Sequence, residues 1–123
     1  MAGFKDTLKD RLARYRQIKI SVIGRKSGRT ISIPVRFVLE GEKLYLLPVQ
    51  GSETRWYQHV LHNPWIQIGA RGEEAEFRAV PVTGAEAVSS VVEKFREKYG
   101  ANDVKKYYSR FDVAVMVPTI SST

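Results

Sequence analysis

The chain opens in a helical rhythm and then changes period. Phe4, Leu8, Leu12 and Tyr15 recur every three or four residues with charges on the other face, which predicts a helix over 1–16. From Gln17 the period is two. Ile18, Ile20 and Val22 alternate with Lys19 and Ser21 as in a half-buried strand. The alternation resumes at Ile31, Ile33, Val35 and Phe37 and predicts one strand over 30–39. Pro34 inside that run calls for a sheet edge or a bulge, because proline has no N–H to give to a ladder. A turn at Glu40-Gly41-Glu42 leads to a third strand over 43–49. Trp56, Tyr57, Val60 and Leu61 return to helical spacing, with Thr54 as a candidate N-cap and Asn63-Pro64 as the stop. Strands over 65–70 and 74–82 flank Arg71-Gly72. A helix over 85–99 carries Val88, Val91, Val92 and Phe95 on one stripe and stops at Gly100. A short helix over 103–110 and a strand through Val113, Val115 and Val117, ending at Pro118, complete the pattern.

This order predicts an α+β fold, mainly β. Six strands form an antiparallel sheet closing into a small barrel, with helices packed outside. A doubly wound nucleotide fold would need strands and helices in regular alternation, which this chain lacks. A length of 123 residues is that of one domain, 1–123, with a barrel core over 17–118 behind the first helix. With no cysteine there is neither a disulfide framework nor a thiolate metal site, and no apolar run approaches the roughly 20 residues of a membrane span. The expectation is a soluble cytoplasmic protein.

Charge is distributed unevenly. The chain has 20 basic and 13 acidic residues, a net of +7. Residues 1–30 hold nine of the basic ones against Asp6 and Asp10, so the whole excess lies there, and the remaining residues balance. Such a field attracts phosphates, polyanionic cofactor tails, nucleic acid or an anionic membrane surface without choosing among them.

Gly24-Arg25-Lys26-Ser27-Gly28-Arg29, between two predicted strands, has the parts of an anion site. Its glycines allow a tight turn and close backbone approach, Arg25, Lys26 and Arg29 supply charge, and Ser27 adds a hydroxyl. A solvated hairpin tip would have the same composition. Gln50-Gly51-Ser52, after a strand, offers backbone N–H groups that could face the same cleft. Trp56/Tyr57, Trp65 and Tyr99/Tyr107/Tyr108 are candidate pocket walls, or plain packing. His59 and His62 share a helix face but lack a third ligand, so no metal is assigned. Neither phosphate-loop nor dinucleotide fingerprint is present. With so little acid–base equipment, catalysis would rest on a bound cofactor that the protein positions.

Ile23-Gly24-Arg25-Lys26-Ser27-Gly28-Arg29, followed by Ile33-Pro34-Val35, resembles the signature of the deazaflavin-dependent nitroreductase family, a branch of the split β-barrel flavin and deazaflavin oxidoreductases. Leu44 to Val49, Gly51-Ser52, Trp56-Tyr57, Asn63-Pro64 and Val113 to Pro118 follow in register, so the resemblance covers about 17–118. It implies an FMN-binding-like split barrel holding the 8-hydroxy-5-deazaflavin coenzyme or, in related branches, FMN. It implies phosphate contacts from Arg25, Lys26, Ser27 and Arg29, with Gly28 and Pro34 in the signature. Pro48, Val49, Gln50 and Gly51 would line the ring, with Trp56 and Tyr57 beside it and Tyr107 and Tyr108 on the substrate side. The implied activity is hydride transfer to a nitro compound, quinone or enone. Other readings are an FMN-dependent oxidoreductase, a non-catalytic flavin or haem barrel and, least favoured, a basic nucleic-acid-binding module. Partners are a small-molecule cofactor and substrate; monomer and homodimer both stay open.

Overall fold

The computed structural model describes residues 15–70 and 73–119. The expected first helix, apart from its last two positions, and the Arg71-Gly72 turn lie outside these residues. Within them, Ile18–Ile23 (β1), Thr30–Val35 (β2), Trp65–Ala70 (β5) and Glu73–Arg78 (β6) form one antiparallel sheet in the order β2-β1-β5-β6. Phe37–Glu40 (β3), Lys43–Leu46 (β4), Val80–Val82 (β7) and Ala114–Pro118 (β8) form a second, in the order β3-β4-β8-β7. Pro34 falls on β2, an edge strand, as its missing N–H requires. Three helices are described: Arg55–His62 (α1), Ala85–Tyr99 (α2) and Ala101–Tyr107 (α3).

Among the described residues the expected six strands are eight, in two sheets. The run over 30–39 breaks at Arg36, and the run over 74–82 breaks at Ala79, where the chain leaves one sheet for the other. Burial explains the first break. Phe37 and Val38 are both buried, Phe37 in the core between the sheets and Val38 in a second core beneath α2. A strand with only one buried face cannot hide two successive side chains, so β3 had to be covered on both sides. Sheet-switching bends of this kind close two sheets around a common interior.

Ile18, Ile20, Val22, Phe37, Leu44 and Ile68 fill that interior, and α1 adds Trp56, Tyr57 and Val60. The α2 stripe of Val88, Val91, Val92 and Phe95 covers the outer face of the second sheet. Phe95 stacks on Tyr99 and meets the edge of Tyr108. The expected helix over 103–110 begins earlier, directly after Gly100, and ends at Tyr107. Arg110 instead forms a β-bridge with Gln50, which draws the 109–113 segment onto the turn after β4. Among the described residues no helix is long and apolar enough to cross a membrane.

Candidate functional site

The basic hexapeptide joins β1 to β2 and is closed from within. The Gly24 N–H donates to the Arg29 carbonyl (2.8 Å), and the Gly28 N–H donates to the Gly24 carbonyl (2.9 Å). Gly28 has φ +70°, with open space where a Cβ would be. The Arg29 N–H donates to Ser27 Oγ at 3.2 Å. Lys26, Ser27 and Arg29 are exposed. Arg25 turns inward, and its Nη1 is buried with no hydrogen-bond partner among the described residues. A buried cationic donor left open costs desolvation energy that an anion would recover.

Helix α1 holds this loop. The Arg25 N–H donates to Nδ1 of His59 at 3.1 Å, so the buried imidazole carries its proton on Nε2. Burial, then the charges of Arg25, Arg55 and His62, lowers the His59 pKa below its usual value and keeps that acceptor available. Trp56 lies three residues earlier on the same helix, about 4.5 Å along its axis. One helical turn therefore connects the basic loop to the aromatic pocket.

That pocket is a slot of about 140 Å³. It is lined by Ile33, Pro34 and Val35 of β2, by Leu47 and Val49 after β4, and by Thr54 and Trp56 at the start of α1. Arg36, Tyr107 and Tyr108 complete the lining. Tyr108 is buried, which raises the pKa of its phenol, so it keeps its proton. Tyr107 is half-exposed, and the Arg36 guanidinium stacks over its ring at 4.0 Å.

The turn after β4 is built differently. Its N–H groups are consumed inside the protein, against the expectation that they stay open. Gln50 donates to Thr54 Oγ1 (2.8 Å), Gly51 to the Pro48 carbonyl (3.1 Å) and Ser52 to Asp112 Oδ1 (2.9 Å). The Ser52 hydroxyl also donates to Asp112 Oδ2 at 2.6 Å. That bond foremost holds the Asp112 pKa below the usual carboxylate range. Thr54 precedes α1 as expected, yet its hydroxyl serves Gln50 rather than the helix.

Of the residues assigned from sequence, the structure gathers Pro34, Val49, Trp56, Tyr107 and Tyr108 around one slot. Arg25, Lys26, Ser27, Gly28 and Arg29 sit together in the loop. Tyr57 instead packs in the inter-sheet core, Pro48 is buried, Gln50 is exposed, and Gly51 lies against Arg110 and Asp112. Arg36, Asp103 and Asp112 were missed. The only signal for Arg36 was a cation within the apolar run 31–39; the two aspartates come from segments that are distant in sequence.

The profile of the family described as F420H(2)-dependent quinone reductase matches residues 4–119. The protein belongs to this family of deazaflavin-dependent reductases, in agreement with the resemblance carried by the glycine-bounded basic loop. No curated protein matches the chain in sequence. Three solved structures show the same fold. The F420-H2 dependent reductase FDR-A superposes at TM-score 0.63 with 20% identity over 83% of this chain and 93% of its own. A chain solved as a domain-swapped dimer superposes at 0.64, with 17% identity over 91% of this chain and 94% of its own. HutZ, the haem storage protein of Vibrio cholerae, superposes at 0.70 with 14% identity over 95% of this chain and 91% of its own.

Proposed function

We propose that the protein is an oxidoreductase that binds a reduced deazaflavin coenzyme and reduces a small electron-poor acceptor, a quinone before nitro compounds or enones. Family membership supports the class of reaction. The observation that carries the site is the buried Nη1 of Arg25, without a hydrogen-bond partner among the described residues, in a loop whose other cations are exposed and which α1 ties to the aromatic slot. This fits a phosphate: Arg25, Lys26 and Arg29 would grip it through charge-assisted hydrogen bonds of about 1.5–3 kcal/mol each, with the Ser27 hydroxyl beside them.

The slot is smaller than the roughly 300 Å³ of an ordinary ligand cleft, so it takes one edge of a tricycle. When bound, the reduced deazaflavin supplies a hydride to the acceptor. The chain's own work is positional. Val49 and Trp56 would exclude water beside the ring, and Tyr108 would offer a protonated phenol. The half-exposed Tyr107 marks the side from which acceptor and solvent proton arrive. Residues 17–118 would be the split barrel, within a single unit over 1–123 that works as a monomer or homodimer in the cytoplasm.

Fluorescence titration with the deazaflavin and with FMN tests this reading. The deazaflavin is expected to bind more tightly than FMN, and Lys26→Ala to weaken it tenfold or more, about 1.4 kcal/mol or greater, without loss of fold. If neither cofactor binds below the millimolar range, the reading fails.

A further inference from the structure

Arg36 lines the slot and is separated from the basic loop by the length of β2. The loop enters β2 at Thr30, and Arg36 follows its last residue, Val35. Six strand residues at about 3.3 Å each separate the two cationic sites by about 20 Å. A phosphate held by Lys26 is therefore out of reach of Arg36.

The surroundings of Arg36 leave it only partly satisfied. Its side chain is 17% exposed, and Nη1 donates to Asp103 Oδ2 at 2.6 Å. A guanidinium has five N–H donors, and Asp103 is the one hydrogen-bond partner of Arg36 among the described residues. Arg16 lies over the Tyr99 ring at 4.9 Å, Arg36 at 5.0 Å and the Lys98 ammonium at 5.2 Å. Asp103 is also the one carboxylate paired with any of these three cations among the described residues. Burial, with Arg16 adding to it, lowers the Lys98 pKa to about 8, as an electropositive and poorly solvated neighbourhood should. The Tyr99 hydroxyl braces the assembly. It accepts from the Phe37 N–H at 3.1 Å and lies 2.7 Å from the Arg16 carbonyl.

A mostly buried planar fork over the Tyr107 ring, lining an apolar slot and with donors left over among the described residues, suits a carboxylate. We propose that Arg36 determines acceptor specificity: it receives a carboxylate on the acceptor, so the substrates are flat, electron-poor molecules bearing an acidic group. This rests on the reductase reading above.

A naphthoquinone carboxylic acid and its methyl ester, differing in charge on the same ring, test it. Wild type is expected to prefer the acid in kcat/KM by about tenfold or more, and Arg36→Leu to remove most of that preference, chiefly through KM. Arg36→Lys keeps the charge without the fork and should recover only part of it. Asp103→Asn leaves the guanidinium in place, frees it of its carboxylate and should raise the preference. Calorimetry of an unreactive naphthoate carboxylate with the coenzyme-free protein should show the same order without turnover.

Equal use of acid and ester by wild type overturns the proposal, as does a preference that survives Arg36→Leu. So does an Arg36→Leu variant that loses deazaflavin affinity as badly as Lys26→Ala, since that assigns Arg36 to the coenzyme. If Arg36→Leu does not fold, an unchanged preference in Asp103→Asn overturns it. Absence of coenzyme binding sinks the reductase reading instead, and the naphthoate titration then decides on Arg36 alone.

Discussion

Two glycine-containing turns, Gly24 to Arg29 and Gly51 to Thr54, have opposite economies. The first satisfies its own backbone with bonds such as Gly24 to Arg29, exposes Lys26 and Arg29, and leaves the buried Arg25 Nη1 without a hydrogen-bond partner among the described residues. The second directs the N–H groups of Gln50, Gly51 and Ser52 to Thr54, Pro48 and Asp112 and presents none of the three to a ligand. A glycine-rich turn beside a cleft is thus no sign of an anion site in itself. What matters is whether local acceptors have already taken its donors.

Exchanging the glycines of the two turns should separate their roles most sharply. Gly51 has φ +56°, and a Cβ there would meet Asp112 Oδ1 at 2.0 Å and Arg110 Cγ at 2.9 Å. Gly51→Ala should therefore lower stability by about 3 kcal/mol or more in chemical denaturation, through backbone strain and displacement of Asp112 from Ser52. A loss below about 1 kcal/mol would mean that the turn yields easily and that its donors are not firmly committed. Asp112→Asn is next, with an expected loss of about 1–2 kcal/mol at pH 7 from weakened charge-assisted bonds to Ser52. Because the folded state depresses this pKa, the stabilisation is present above the unfolded value of about 4 and disappears as pH falls through the lower folded one. The gap between wild type and Asp112→Asn should close in melts run below that range, and a gap that persists in acid contradicts the assignment.

Gly28→Ala should do less. Gly28 is also left-handed, but nothing lies within 4 Å of the added methyl, so only about 1 kcal/mol of backbone strain is expected. Coenzyme affinity should fall more noticeably than stability, because the loop's shape sets where Lys26 and Arg29 point. The smallest effect belongs to His59. Its pKa is depressed, so its contribution is complete above the unfolded value of about 6.5 and is lost as pH drops from there through the folded value. Protonated Nδ1 cannot accept from Arg25. Wild type should lose more stability and more coenzyme affinity between pH 7 and pH 5 than His59→Gln does; parallel pH profiles would show that the α1–loop bond does not matter.

Much of the local structure was legible in the sequence. The period of two in 18–22, the helix 85–99 ending at Gly100, and Pro34 on a sheet edge all follow from side-chain alternation and from proline's missing donor. The cationic loop was visible because glycine and charge are properties of neighbouring residues. Periodicity misled at 30–39 and 74–82, where a pattern of alternating residues looks the same whether a strand runs straight or bends into another sheet. It also gave no indication that the Ser52 N–H is taken, since Asp112 lies 60 residues further on.

The sequence by itself thus determined most of the described elements, the uneven charge and the presence of a basic turn, all of which depend on residues a few positions apart. Only the tertiary structure decided which donors stay free and which side chains meet. Pro34, Trp56 and Tyr107 share a slot, and Arg36 finds Asp103, because two sheets and three helices pack around common cores. Burial then sets the energetic weight of each polar group, and no short stretch of chain carries that information.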